Sequence, residues 1–191
     1  MPTLQLHDRI MTESRQIEGL GQDADTVTLA QLIEDFRGYG QNARELVASS
    51  NVAIPLTGTT DETLLVAVAL PPLGPNDQVM ITALWSYPNS GNIKVPRIRF
   101  HTASGTGGTL VGNLSLTTTA SVRMIVEGGN RGATNSQFWG STTGGTAASS
   151  GAIPTTSLDT TVTTYLNFTG DLADVGETIT LESYRVEILR V

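Results

Sequence analysis

Residues that could do chemistry are few in this chain of 191 residues, and most are badly spaced for it. Asp171, Asp174 and Glu177 crowd the segment Thr169-Gly170-Asp171-Leu172-Ala173-Asp174-Val175-Gly176-Glu177. Paired carboxylates can run glycosidase chemistry as acid and base. The same glycines and acids also make a solvated turn between two strands, which is the stronger reading. An oxygen-ligand calcium site is weaker, because the EF-hand spacing is absent. His7 and His101 are the two histidines, with no His-x-x-x-His pair and no Gly-x-Ser-x-Gly elbow. The glycine runs at 105–109 and 140–146 look like phosphate loops but lack the Walker lysine. The chain has no cysteine, so a disulfide framework, a thiolate nucleophile and Cys-type metal sites are excluded. The expectation is a protein with no catalytic residues, no cofactor and no metal, and not an enzyme.

Candidates for binding are better. From Gly128 to Asp159 the chain is mostly Gly, Ser, Thr and Ala without sustained periodicity, long for a structureless connection and hence expected to be functional or held by a partner. Phe138 and Trp139 sit in its middle. An adjacent aromatic pair there is an anchor for a partner or a sugar face, or else it tucks back and staples the loop. Arg97, Arg99 and Arg123 lie in strands that otherwise carry few charges, where they either point to solvent or meet carboxylates of a neighbouring subunit. The net charge of -7 argues against nucleic acid as a partner. The longest apolar run, Leu64 to Leu70, is too short to span a bilayer, so no membrane insertion is expected. The first residues lack the pattern of a secretory signal, which predicts synthesis in a cytoplasm, and the Asn113 and Asn167 glycosylation matches read as chance.

The elements that position these residues are of two kinds. Residues 1–50 hold 8 acids and 4 bases and are helix-forming; 51–191 are rich in Thr, Val, Ile, Gly and Ser. A first helix is expected before Gly21, and a second from Leu29 to about Ala48, opened by the capping box Thr28-Leu29-Ala30-Gln31. In the second, Leu29, Phe36 and Ala43 are seven apart, as are Leu32, Tyr39 and Leu46. That short heptad suits either a self-associating stem or a helix packed on its own β-domain. Beyond residue 52 the period is two. Val79 to Tyr87 is apolar on both faces and predicts a central strand covered on both sides. A change of phase near Glu182-Ser183 in the last strand predicts a β-bulge. The fold expected is mainly β with N-terminal helices. It comprises a helical anchoring and oligomerisation module at 1–50 and a two-sheet antiparallel sandwich of jelly-roll type at 51–191, with an immunoglobulin-like sandwich as the alternative.

The stretch Leu116 to Glu127, the run Asn130 to Gln137, the Gly/Ser/Thr loop and the closing segments Leu166 to Gly170 and Ile179 to Glu187 together resemble the β-domains of tailed-bacteriophage virion proteins. The resemblance is to head-fibre, decoration or tail-fibre modules and covers roughly residues 60–191. It implies a homotrimeric jelly-roll part, a capsid decoration protein or short fibre on the virion surface, anchored to other virion proteins by its N-terminal helices. The oligomerisation and anchoring residues would be Leu29, Leu32, Phe36, Tyr39 and Leu46. The alternative it implies is a tail-fibre-type receptor-binding protein that recognises host cell-surface glycan through Phe138 and Trp139. A carbohydrate depolymerase is the weakest reading.

Overall fold

The computed structural model describes residues 44–142 and 153–191. These form eleven strands: β1 (Arg44–Ser50), β2 (Ile54–Thr57), β3 (Thr63–Leu70), β4 (Gln78–Ser86), β5 (Lys94–His101), β6 (Thr109–Asn113), β7 (Ser121–Asn130), β8 (Gln137–Thr142), β9 (Thr155–Thr156), β10 (Thr164–Leu172) and β11 (Thr178–Leu189). The larger sheet runs β1-β11-β4-β7-β8-β9, with β2 beside β1 on β11; the smaller runs β3-β10-β5-β6. Every pairing is antiparallel. The two sheets face each other in a jelly-roll-like sandwich.

Alternation of side chains decides which face is buried. Val79, Ile81, Ala83 and Trp85 of β4, Met124 and Val126 of β7 and Val186 and Ile188 of β11 point inward. They meet Val68, Ile98, Phe100, Leu166 and Phe168 of the smaller sheet in one core. Ring contacts cross the gap between sheets: Phe100 to Trp139 at 4.8 Å and Phe168 to Tyr184 at 5.2 Å. The pairing of β11 with β4 slips one residue between Leu181 and Ser183, the bulge that the change of phase predicts.

The expected N-terminal helices are corrected where the structure describes their residues. No described residue is helical, and Arg44–Ser50, assigned to the end of the second helix and its exit, is strand β1. The sheet thus takes in seven residues expected ahead of the sandwich. The physical reason is non-local: Tyr184 to Leu189 of β11 leave one side of their backbone unpaired, and β1 satisfies it while Val47 and Ala48 pack on the core. Tertiary pairing overrides a modest local helix preference. Leu46 lies on that strand opposite Glu187, so it is not a heptad position. The first helix and Leu29, Leu32, Phe36 and Tyr39 lie outside the described residues. A second correction concerns β4, which is central as expected, between β11 and β7, but has no described element over its outer face, where Leu84 is 40% exposed.

The stretch expected to be a structureless loop contains β8 and β9, held by a buried polar network. Gln137 donates to Asn130 Oδ1 (2.9 Å) and to the Leu158 carbonyl (3.0 Å), and accepts from Thr156 Oγ1 (2.8 Å) and Leu158 N (3.1 Å). Asn130 donates in turn to the Gly74 carbonyl (2.7 Å) and Thr160 Oγ1 (2.9 Å). Satisfied amides order a segment that has too little apolar surface to order itself.

Candidate functional site

The residues with most binding potential meet on the outer face of the larger sheet. Met80 projects outward from β4, with Glu187 of β11 as its cross-strand neighbour on one side and Glu127 of β7 on the other. Arg44 of β1 and Phe138 of β8 close the two ends of a depression of about 280 Å³, with Leu189 in its wall. Its floor is thioether and aliphatic, and its rim carries two carboxylates. Glu187 is largely buried and held by Arg185 Nη2 at 2.7 Å, with Arg44 Nη1 at 3.9 Å. Glu127 is exposed and makes no ion pair with another described residue. The guanidinium of Arg131 lies 5.1 Å from the centre of the Phe138 ring. An apolar floor beside a solvated carboxylate suits a cationic side chain with an aliphatic stem.

Alternation along β8 sends the two expected aromatic residues to opposite faces. Phe138 faces outward into the depression, while Trp139 is 1% exposed and lies in the core. Its ring fits over Gly128, directly across on β7; a Cβ there would collide with the ring, 2.7 Å from its Cδ2, and with the Phe138 carbonyl at 2.7 Å. Leu46 is 55% exposed on the same outer face as Glu187.

The other candidates are dispersed and tied down. Arg97 and Arg99 find carboxylates in their own chain. Arg99 forks onto Glu62 at 2.6 and 2.7 Å, and Arg97 bridges Glu62 (3.0 Å) and Asp171 (2.8 Å). Thr169 also donates to Glu62, whose carboxyl is held below its usual range, first by the Arg99 bond and against the opposing effect of burial. Arg123 faces outward on β7 opposite Leu84. Asp174 caps its own turn through the Gly176 amide at 2.7 Å. Glu177 accepts from Ser90 (2.5 Å) and Asn92 (3.0 Å) and pairs with the fully buried Lys94 at 3.3 Å; the Ser90 bond leads in lowering its pKa. His101 accepts from the Ala103 amide at 3.1 Å. Among the described residues no three metal-ligating side chains cluster.

Sequence reasoning missed Lys94, Glu62 and Asp77. Asp77 accepts from Gly74 N (2.8 Å), Arg190 Nη1 (2.6 Å) and Val191 N (3.2 Å). Burial pushes its carboxyl up, but these bonds together bring it below the usual range. A buried Lys in an alternating strand was a legible signal; its partner 83 residues further on was not.

No family model and no curated protein sequence matches the chain. Solved structures similar to it include the CBM2 module of the evolved Dit of Lactobacillus casei BL23 phage J-1, at 7% identity over 65% of this chain and 69% of that one, TM-score 0.38. Peanut lectin follows at 10% identity over 78% of this chain and 92% of that one, TM-score 0.35. The infectious bursal disease virus Gt strain is similar at 8% identity over 78% of this chain and 32% of that one, TM-score 0.32. A phage module, a lectin and a virus thus stand among the neighbours, at scores that carry no argument about function.

Proposed function

We propose that the chain is a non-enzymatic structural protein of a tailed-phage virion, a decoration protein or short fibre. The sandwich faces outward, and the residues ahead of β1 attach it to the particle. The observation that carries the non-enzymatic part is the fate of the carboxylates. Asp171, Asp174 and Glu177, the trio that could have run acid-base chemistry, are each committed to a different partner: Arg97, the Gly176 amide and Lys94. Two-carboxylate glycosidase chemistry needs a pair facing each other across a cleft, and these serve instead as ties between strands and within turns. The virion part rests on the resemblance of residues 60–191. Its partners in this reading are other virion proteins, and the depression around Met80 and Glu127 would receive a basic side chain from one of them. A host-surface glycan, in the receptor-binding alternative, would meet Phe138 and not the buried Trp139 ring.

Deleting residues 1–43 tests the two-part design. The remainder should keep its melting temperature and β-rich circular dichroism but no longer co-sediment with particles. Equal incorporation of the truncated chain would sink the proposed attachment.

A further inference from the structure

Four edges bound the two sheets among the described residues, and three are defended against pairing. The β1–β2 edge carries Arg44, Glu45 and Pro55 and slips register between Leu46 and Ala48. The β9 edge is two residues long. The β6 edge has five residues with Gly112 among them, and its pairing slips opposite Ile98 and Arg99. Charge, proline, bulges and shortness are the devices by which sheets avoid joining edge to edge.

β3 has none of these over most of its length. Thr63-Leu64-Leu65-Val66-Ala67-Val68-Ala69-Leu70 contains no charge, no proline and no glycine. One slip, at Leu65, leaves Val66 to Leu70 in regular register with β10. No other described strand pairs with β3, so every second residue presents sideways an amide and carbonyl with no partner among the described residues. Its inner face is Val66, Val68 and Leu70, and its outer face is Ala67 and Ala69, the latter exposed. The loop that carries Glu62 reaches over the outer face only at the start of the strand, toward Arg97 and Arg99.

We infer that β3 pairs with β3 of a second copy, the two strands antiparallel about a two-fold axis, so that the smaller sheets of both copies become continuous. A copy suits this edge better than an arbitrary strand for two reasons. Chains that each carry a net charge of -7 repel one another, which favours contact through uncharged surface, and β3 is a strand of eight residues with no charge to oppose its own image. Valine and leucine would fall beside valine and leucine on one face and alanine beside alanine on the other, as an isologous contact requires. A single strand pair buries little area, so the dimer is weak in dilute solution and strengthened wherever copies are held close together. The inference puts a two-fold pair in place of the homotrimer that the resemblance implies, and is otherwise independent of the virion reading.

Sedimentation equilibrium of the full chain is expected to show mass rising toward that of a dimer as concentration reaches about 100 µM, a range where weak associations populate. Ala69→Lys, at an exposed position, should weaken the dimer at least tenfold with an unchanged melting temperature, and Ala69→Thr should retain it. Because the chain has no cysteine, single cysteines at Ala67 and Ala69 give a second arm that does not depend on the lysine variant folding. At least one should cross-link on oxidation at high concentration, while Val175→Cys should not. A chain that stays monomeric throughout, a trimer, or a dimer that survives Ala69→Lys with neither cysteine cross-linking overturns the proposal. Strand pairing found only with another virion protein overturns it as well.

Discussion

Replacing Trp139 by alanine separates the two roles that an aromatic pair in a polar segment can play. The ring is 1% exposed and packs 4.8 Å from Phe100. A buried indole removes about 150–250 Å² from water, which at about 25 cal/mol per Å² is about 4–6 kcal/mol. Truncation of large aromatic side chains in cores costs about 3–5 kcal/mol, a consistent range. The upper part applies here, because the residue beneath the ring is Gly128, which has no side chain with which to fill the void. Against a total stability of about 5–15 kcal/mol the loss is large. Urea unfolding can be followed by fluorescence of Trp85, the other tryptophan and itself fully buried. We expect Trp139→Ala to lose about 4–5 kcal/mol, whereas Phe138→Ala, half-buried on the outer face, should lose about 1 kcal/mol, most of it the contact with Arg131. A Trp139→Ala loss below about 1 kcal/mol would refute the placement of the ring in the core. Loss of any ligand by Trp139→Ala would be a folding effect; Phe138→Ala is the variant that reports on binding.

Other outcomes follow from the polar groups. Glu62, Asp77 and Glu177 all have pKa values lowered in the fold, so their stabilisation is complete above the unfolded carboxyl values near 4 and is lost as pH falls through the folded ones. The melting temperature should therefore be flat from about pH 7 to 5 and fall below about pH 4, and Glu62→Gln should lower it at neutral pH while flattening the acid limb; a maximum at pH 3 would contradict this. Gln137→Leu leaves Asn130 Oδ1 and the Leu158 amide without their partner and should cost about 2–4 kcal/mol by urea unfolding, despite its greater apolarity. Deleting residues 1–50 instead of 1–43 removes β1 and uncovers β11 from Tyr184 to Leu189, and should lower the melting temperature by several degrees.

What was legible in the sequence was whatever period two could carry. β3, β4, β5, β7 and β11 have apolar side chains in one phase, and the bulge near Glu182 announced itself because that phase changed. β8 was hidden because its inward positions are Gln137 and Trp139, and a buried glutamine does not look like core until the carbonyls and hydroxyls that satisfy it are known. β1 was misread because Leu46 falls on a seven-residue spacing as readily as in a strand, and only the open side of β11, some 140 residues away, decides between them. Of the three arginines singled out, Arg97 and Arg99 meet carboxylates of their own chain and not of a neighbouring subunit, and Arg123 faces outward. That the carboxylates would be Glu62 and Asp171 depends on how β10 brings Thr169 and Asp171 alongside Arg97, which no local pattern encodes. The depression around Met80 was invisible for the same reason: its carboxylates come from strands sixty residues apart.

The proposed place of the chain in a tailed-phage virion is tested most directly by quantitative mass spectrometry of gradient-purified phage particles from lysates of cells that produce the chain. Peptides of this chain, including ones ahead of Arg44, are expected in fixed stoichiometry to the shell or tail proteins across preparations. Their absence from particles, with the protein abundant in the infected-cell lysate, would contradict it.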